Sequence, residues 1–449
     1  MNVACKVSAA ARGQVPAIVH VGDLSCETVS FRRSSVACLR QIFDVLRFPA
    51  ALWIASHRGA GLCDDPRDPT KPSTAYASNG GQMTRSSLLL TLVAAGAACA
   101  TIAAGPGTAL AQDGGGDHHS PTVRVLDTTV AAPFQLDFAK GSLYVADGGS
   151  STVSRLTRQG LVTVATGPQP GEVEGVAVNG RGDLAYTASV FGEMGTTSTT
   201  LTIKRKHGGT LTVDMLAYET AHNPDGGVTY GIDNPTECQR EAFEPFGGAT
   251  TTGVVDSHPY AVAALGKDSW VVADAGGNDL LKVSGTGHVS TLAVLPRQPA
   301  TITAEAAAAL GAPDCVVGAV YNFDPVPTDV EVDGRDLVVS LLPGGPEDPS
   351  LGARGSVYRV DAGTGHARKV AGGFLGATNV AVAPDGRIFV AELFAGRISV
   401  IDHGRVRPYV DLPSALSLVW GDGTLFAGTL APSDAEGNPT GHGSLVAIR

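Results

Sequence analysis

Concentrated positive charge is missing from this chain. No run of lysine and arginine is longer than Lys204-Arg205-Lys206, and the formal net charge is −11 with an isoelectric point near 5.4. A phosphate backbone needs a basic stripe or patch, so nucleic acid is excluded as a partner. Aromatic residues are also few, at 6%, beside 57 glycines and a hydrophobic share of 43%. That balance suits many short buried strands joined by tight turns and counts against a helical bundle. The familiar catalytic signatures are absent: there is no G-x-S-x-G elbow, H-E-x-x-H helix, C-x-x-C pair or phosphate-binding glycine loop. Asp256-Ser257-His258 has the letters of a hydrolase triad. Neighbours on an extended chain point to opposite faces, so they form no triad among themselves, and no residue is assigned as catalytic.

Long apolar runs are nearly absent as well. Leu88 to Ala104 is uncharged and apolar, preceded by Met83-Thr84-Arg85 and followed by Ala109-Leu110-Ala111. A short positive region, an apolar stretch and an A-x-A site make a cleaved signal peptide rather than a stable membrane span. The expectation is that translation starts at Met83, that 1–82 is a non-translated or disordered extension, and that 83–111 is removed. A disordered leader, 112–121, then precedes a secreted domain at 122–449. His118-His119 belongs to that leader. Cys5, Cys26, Cys38 and Cys63 follow no metal-ligand spacing, and after cleavage only Cys238 and Cys315 remain. An exported compartment makes these two a disulfide candidate, with two buried thiols as the other reading.

What is present is a repeat. An alternating apolar strand, a Gly/Asp turn and a second strand ending in a small or acidic residue recur from Gln135, Gly175, Ala261, Asp329, Asn379 and Ser417. Third and fourth strands follow most copies, as at Asp279 to Val283 and Val289 to Val294. The last copy stops after its third strand, and Thr122 to Leu126 is a lone strand before the first. The two deficits complement each other, giving an all-β, six-bladed β-propeller closed by an N-terminal strand that completes the last blade. Long segments, including Ser189 to Thr200, Met215 to Ser257, Pro296 to Pro327, Leu342 to Ser356 and Ala431 to Gly443, all emerge on one face, where binding usually resides. Two of them carry helix signals, Asn234 to Phe243 with an Asn cap and Pro first, and Thr303 to Gly311. They hold Cys238 and Cys315, so a bond would pin two neighbouring insertions.

Val254-Val-Asp-Ser-His-Pro-Tyr260, the run Val271 to Leu281, Pro325-Val-Pro-Thr-Asp329-Val330 and Leu342 to Ser350 are longer than generic blade repeats. Through them the chain, from Val123 to Arg449, resembles the ScyD/ScyE family of exported bacterial propellers. The resemblance implies fold and export, and names no reaction.

Polar residues at first-strand starts, Gln135, Glu174, His258, Asp329, Asn379 and Ser417, converge around the central axis. Glu174, Asp329 and Asn379 resemble the calcium- or zinc-binding mouth of gluconolactonase-type propellers, making them candidate ligands for calcium or another divalent cation. The plainer reading is that these groups hydrogen-bond backbone ends. His258 and Tyr260 are candidate ligand-binding residues on the long-loop face. Asp147, Asp274 and Glu392 end second strands, where capping of the next turn explains them. The sequence therefore supports a monomeric binding or scaffold protein holding a small molecule, glycan or protein. The alternative is a metal-dependent lactonase- or lyase-like enzyme at the channel mouth.

Overall fold

The computed structural model describes residues 121–449 except 193–194, 347–348, 433 and 435–439. The expected start at Met83, the signal peptide and His118-His119 lie outside the described residues.

The repeat becomes six four-stranded antiparallel sheets in chain order. Sheet 1 is Pro133–Ala139, Ser142–Asp147, Thr152–Thr157 and Gly160–Thr166; sheet 2 is Glu172–Val178, Leu184–Gly192, Gly195–Lys204 and Thr210–Asp214. Sheet 3 is Pro259–Ala264, Ser269–Asp274, Asp279–Ser284 and Val289–Val294; sheet 4 is Pro327–Asp333, Asp336–Leu341, Gly355–Asp361 and Ala367–Phe374. Sheet 5 is Ala377–Val382, Ile388–Glu392, Arg397–Asp402 and Arg405–Asp411. Sheet 6 is Ala415–Gly421, Thr424–Thr429 and Ser444–Ile448, and Val123–Asp127 adds its fourth strand beside Ser444–Ile448. Because each sheet is apolar on both faces, each packs on two neighbours. Val330 and Leu337 meet Ala273 and Leu280 between sheets 3 and 4, and Val145 and Leu136 meet Val419 and Leu445 between sheets 1 and 6. The last sheet thus packs on the first, which is the β-propeller arrangement.

First strands of neighbouring sheets are edges with no backbone ladder between them, so their N–H groups need other acceptors. Side chains one sheet away supply them. Gln135 Oε1 accepts from Val176 N at 2.8 Å and Val262 N at 3.1 Å, and Asp137 Oδ2 accepts from Val178 N at 2.7 Å. Asp329 Oδ2 accepts from Val380 N at 3.0 Å, and Asn379 Oδ1 accepts from Leu418 N at 2.7 Å. Ser417 Oγ donates to Pro133 O at 2.6 Å, crossing from the last sheet to the first. Five first strands carry a bulge after their opening residue, and the corresponding irregularity in sheet 2 spans Val173 to Val176. The inward position is therefore Gly175 in sheet 2 and Ala261 in sheet 3, not Glu174 and His258. Neither side chain can reach across, and Gln135 spans the gap, donating from Nε2 to Asp329 Oδ1 at 2.9 Å. A Cβ on Gly175 would stand 2.9 Å from Val262 N, so only glycine admits this close approach.

The long-loop segments differ from their expected form. Ser189 to Thr200 is not a loop: it extends the second and third strands of sheet 2. Met215 to Ser257 and Pro296 to Pro327 jointly build a seventh sheet, in the order Thr250–Thr252, Thr229–Ile232, Val320–Phe323 and Gln298–Thr301. Its own core gathers Ile232, Phe243, Ala249, Ile302, Ala306 and Val316. Helix α1, Met215–His222, is capped by Asp214; α2, Glu237–Phe243, starts later than Pro235 because Thr236 and Gln239 form a reciprocal capping box; α3, Ala304–Ala309, is capped by Thr303. Cys238 and Cys315 form a disulfide between the insertions, with Cα atoms 6.4 Å apart. Closing its loop of 77 residues stabilises by about 4 kcal/mol in a chain-entropy account. Among the described residues no helix is long and apolar enough to cross a membrane.

Gln135→Ala removes the acceptor of two buried N–H groups, and about 2–4 kcal/mol of stability should be lost, measured by urea unfolding. Below the Gln135 bridge lies a channel cavity of about 140 Å³ lined by Asp137 and Glu331. Burial draws Asp137 up to about 7 against the opposing Val178 and Phe138 N–H groups. The folded state then keeps a proton that the unfolded chain has released. This contribution is complete below a pH of about 4 and is lost as pH rises through about 7. Asp137→Asn should flatten that decline when unfolding free energies are measured across the same window.

Candidate channel-mouth metal centre

Glu172 and Glu174 stand two apart at the start of sheet 2, and His258 immediately precedes sheet 3. The long-loop ends of both sheets meet there, and all three side chains are 0–4% exposed. His258 Nε2 lies 3.2 Å from Glu174 Oε1 and 3.5 Å from Glu172 Oε1. Phe191 and Tyr260 set their rings edge-on to the imidazole, with centroids 5.3 and 5.6 Å away. Tyr260 also packs on Phe134 and is buried. His258 and Tyr260 therefore offer no open surface to a ligand, contrary to their expected role on the exposed face.

Burial alone would push the His258 imidazole down, but its contacts with Glu172 and Glu174 more than reverse this, so its pKa is raised. Burial raises Glu172, the His258 contact opposes that rise, and the Glu174 charge reinforces it. The cluster thus concentrates negative charge around one nitrogen. Its three donor atoms lie within 4.8 Å of one another, as a metal ion requires. Nitrogen and oxygen ligands about 2.0–2.1 Å from tetrahedral zinc stand about 3.4 Å apart. The two His258 distances bracket that value. A nitrogen with two carboxylates suits zinc or a similar transition ion, and three protein donors leave the fourth position of a tetrahedral ion unfilled by this cluster.

The other expected ligands lie elsewhere. Asp329 and Asn379 have oxygens engaged by Val380 and Leu418 in the inter-sheet ring, and only Glu174 of the expected three belongs to the cluster. Glu172 was missed, although Glu172-Val173-Glu174 puts two acids on one side of a strand and was readable by period. Ser257 Oγ donates to Asp274 Oδ2 at 2.7 Å and not to His258, consistent with the absence of a triad. The acids ending second strands cap the entry to their own sheets. Asp147 accepts from Ala131 and Ala132 N, Asp274 from His258 N, and Glu392 from Leu375 N.

Zinc should raise the melting temperature of the wild-type protein saturably, by the equivalent of about 2.7 kcal/mol at about a hundredfold excess over Kd. His258→Ala should abolish that shift. A shift that persists in the variant would place zinc at another site.

Searches against family models and against curated proteins find no match. Among solved structures the chain is similar to a streptogramin B lyase, at 14% identity, covering 73% of this chain and 97% of that one with a TM-score of 0.40. It is similar to an inactive virginiamycin B lyase from Staphylococcus aureus at 10% identity, covering 73% and 98% with a TM-score of 0.39. It is also similar to a soluble aldose sugar dehydrogenase from Escherichia coli at 12% identity, covering 74% and 99% with a TM-score of 0.43. Likenesses this weak transfer no residue, ligand or reaction, and the architecture rests on the order and packing of the sheets themselves.

Proposed function

We propose that this chain is an exported, ScyD/ScyE-like propeller that binds a macromolecular partner through its long-loop face. The observation that carries the reading is the seventh sheet, in which two insertions are joined by strand pairing, a disulfide and the Arg297–Asp233 pair at 2.9 Å. Ordering a surface before it meets a partner lowers the entropy cost of binding. The same insertions expose Val254, Val255, Val317 and Val320, each 40–50% accessible. Export is supported by the Met83 signal pattern, and family membership by the four long motifs. A second reading, a metal-dependent hydrolase or lyase, draws on the Glu172–Glu174–His258 cluster, and in it the ion would be catalytic.

The two readings part in one experiment. The zinc-treated full chain is assayed for turnover of lactones and cyclic depsipeptides, and its binding is screened against glycans and proteins from the producing culture. The binding reading expects no turnover, and a partner whose affinity falls at least tenfold in Val255→Asp or Val320→Asp but not in His258→Ala. Turnover abolished by His258→Ala would overturn it in favour of the enzyme.

A further inference from the structure

A second acidic cluster lies where the first insertion rests on sheet 3, apart from the channel-mouth residues. Three side chains that the sequence keeps far apart meet there. Glu219 comes from α1, Asp225 from the turn after it, and Asp279 from the third strand of sheet 3. Their exposures are 1, 0 and 0%. Neither oxygen of Glu219 and neither oxygen of Asp279 has a hydrogen-bond partner. The Asp256 N–H is directed at Glu219, too weakly to offset burial beside the neighbouring carboxylates. Asp225 Oδ2 accepts from Tyr230 Oη at 3.0 Å and Asn278 Nδ2 at 2.9 Å. The charges that act most strongly on Glu219 are those of Asp274, Asp225 and Asp256, and those on Asp279 are Asp274, Glu219 and Asp225.

Comparison between sheets shows how unusual this is. The last residue of each second strand faces a residue at the start of the third. In sheet 5 that pair is Glu392 with Arg397, bonded at 2.8 Å. In sheet 1 it is Asp147 with Thr152, and in sheet 4 it is Leu341 with Ser356. At this position only sheet 3 sets acid against acid, Asp274 opposite Asp279, both fully buried. Like charges directly opposite each other destabilise a sheet, and an unpaired buried carboxylate costs more. Asp274 is satisfied by Ser257 and by the His258, Gly276 and Gly277 N–H groups, so the uncompensated charge rests on Asp279 and Glu219. Both converge on Gly277, whose missing Cβ would stand 3.3 Å from Glu219 Oε2 and 3.6 Å from Asp279 Oδ1.

We propose that Glu219 and Asp279 bind a calcium ion beside Gly277, tying the insertion to sheet 3. All the donors are oxygens, which favours a hard cation over zinc. No third carboxylate among the described residues comes within mutual ligating reach. Main-chain oxygen and water complete the shell, as calcium's loose coordination permits and magnesium's stricter octahedron does not favour. The same turn also holds the second insertion. Asn278 Nδ2 reaches Asp324 Oδ1 at 3.2 Å, and Asn278 Oδ1 accepts from Val326 N at 3.2 Å. An ion at Gly277 therefore fixes the turn on which both halves of the seventh sheet depend.

The full chain, stripped with EDTA, is titrated with calcium chloride in calorimetry and in thermal melts. Wild type should show saturable binding and a rising melting temperature, with magnesium several-fold weaker. Glu219→Gln and Asp279→Asn should each abolish the calcium shift while leaving the calcium-free melting temperature equal or higher, since each removes an unpaired charge. Glu174→Gln should keep the shift, separating this site from the channel mouth. Absence of calcium binding in the wild type, or a shift that survives both Glu219→Gln and Asp279→Asn, would overturn the assignment.

Discussion

The structure depends on one constraint: the first strand of every sheet is an edge that meets its neighbour without a backbone ladder. A closed ring of such edges is stable only if side chains satisfy the exposed N–H and C=O groups. Position 135 and its equivalents do this, each reaching one sheet forward, as Gln135, Asp329, Asn379 and Ser417 show. Where sheets 2 and 3 carry Gly175 and Ala261, the single long amide of Gln135 bridges three sheets to Asp329. The polar residues around the axis are therefore structural, and their pattern would persist in a propeller with no active site. Chemistry has to be sought just outside the ring, at strand starts such as Glu172 and His258.

The legible part of the fold is the part written locally. Alternation and Gly/Asp turns repeat within a dozen residues, so the hairpins from Gln135 to Ser417 and the closing N-terminal strand could be read directly. The seventh sheet could not. Its strands are three or four residues long, and its central pairing joins Thr229–Ile232 to Val320–Phe323 across the rest of the first insertion, sheet 3 and most of the second insertion. No periodicity survives in segments that short, and their pairing is decided by tertiary contacts such as Phe243 on Tyr321. The site was half legible for a related reason. Glu174 and His258 stood out as polar residues at strand starts, but in sheets 2 and 3 the inward position falls on Gly175 and Ala261, so Asp329 and Asn379 stay in the ring while Glu174 and His258 leave it and meet Glu172.

Charge gives the same separation between scaffold and site. Exposed Asp233 is paired with Arg297, whose hydrogen bonds hold its carboxyl below the usual range. Two sets of buried acids contrast. Asp147, Asp274 and Glu392 accept several N–H or hydroxyl bonds each and cap their sheets. Glu219 and Asp279 have no such set of donors, and burial beside other carboxylates pushes both well up. A folded chain holds such groups only where a proton or a cation compensates them.

Asp274 stands between the two clusters and belongs to neither. Its Oδ1 accepts the main-chain N–H of His258 on one side and those of Gly276 and Gly277 on the other. One carboxylate thus sets both the backbone that aims His258 at Glu172 and Glu174 and the turn that brings Gly277 up to Glu219 and Asp279. In sheets 1 and 5 the acid at this position caps one strand entry and faces Thr152 or Arg397. Placing an acid opposite it in sheet 3 turns a repeated structural device into a meeting point of two ligand-bearing surfaces. The turn of the third sheet is thus one through which Asn278 holds both insertions, at Asp225 on one side and at Asp324 and Val326 on the other.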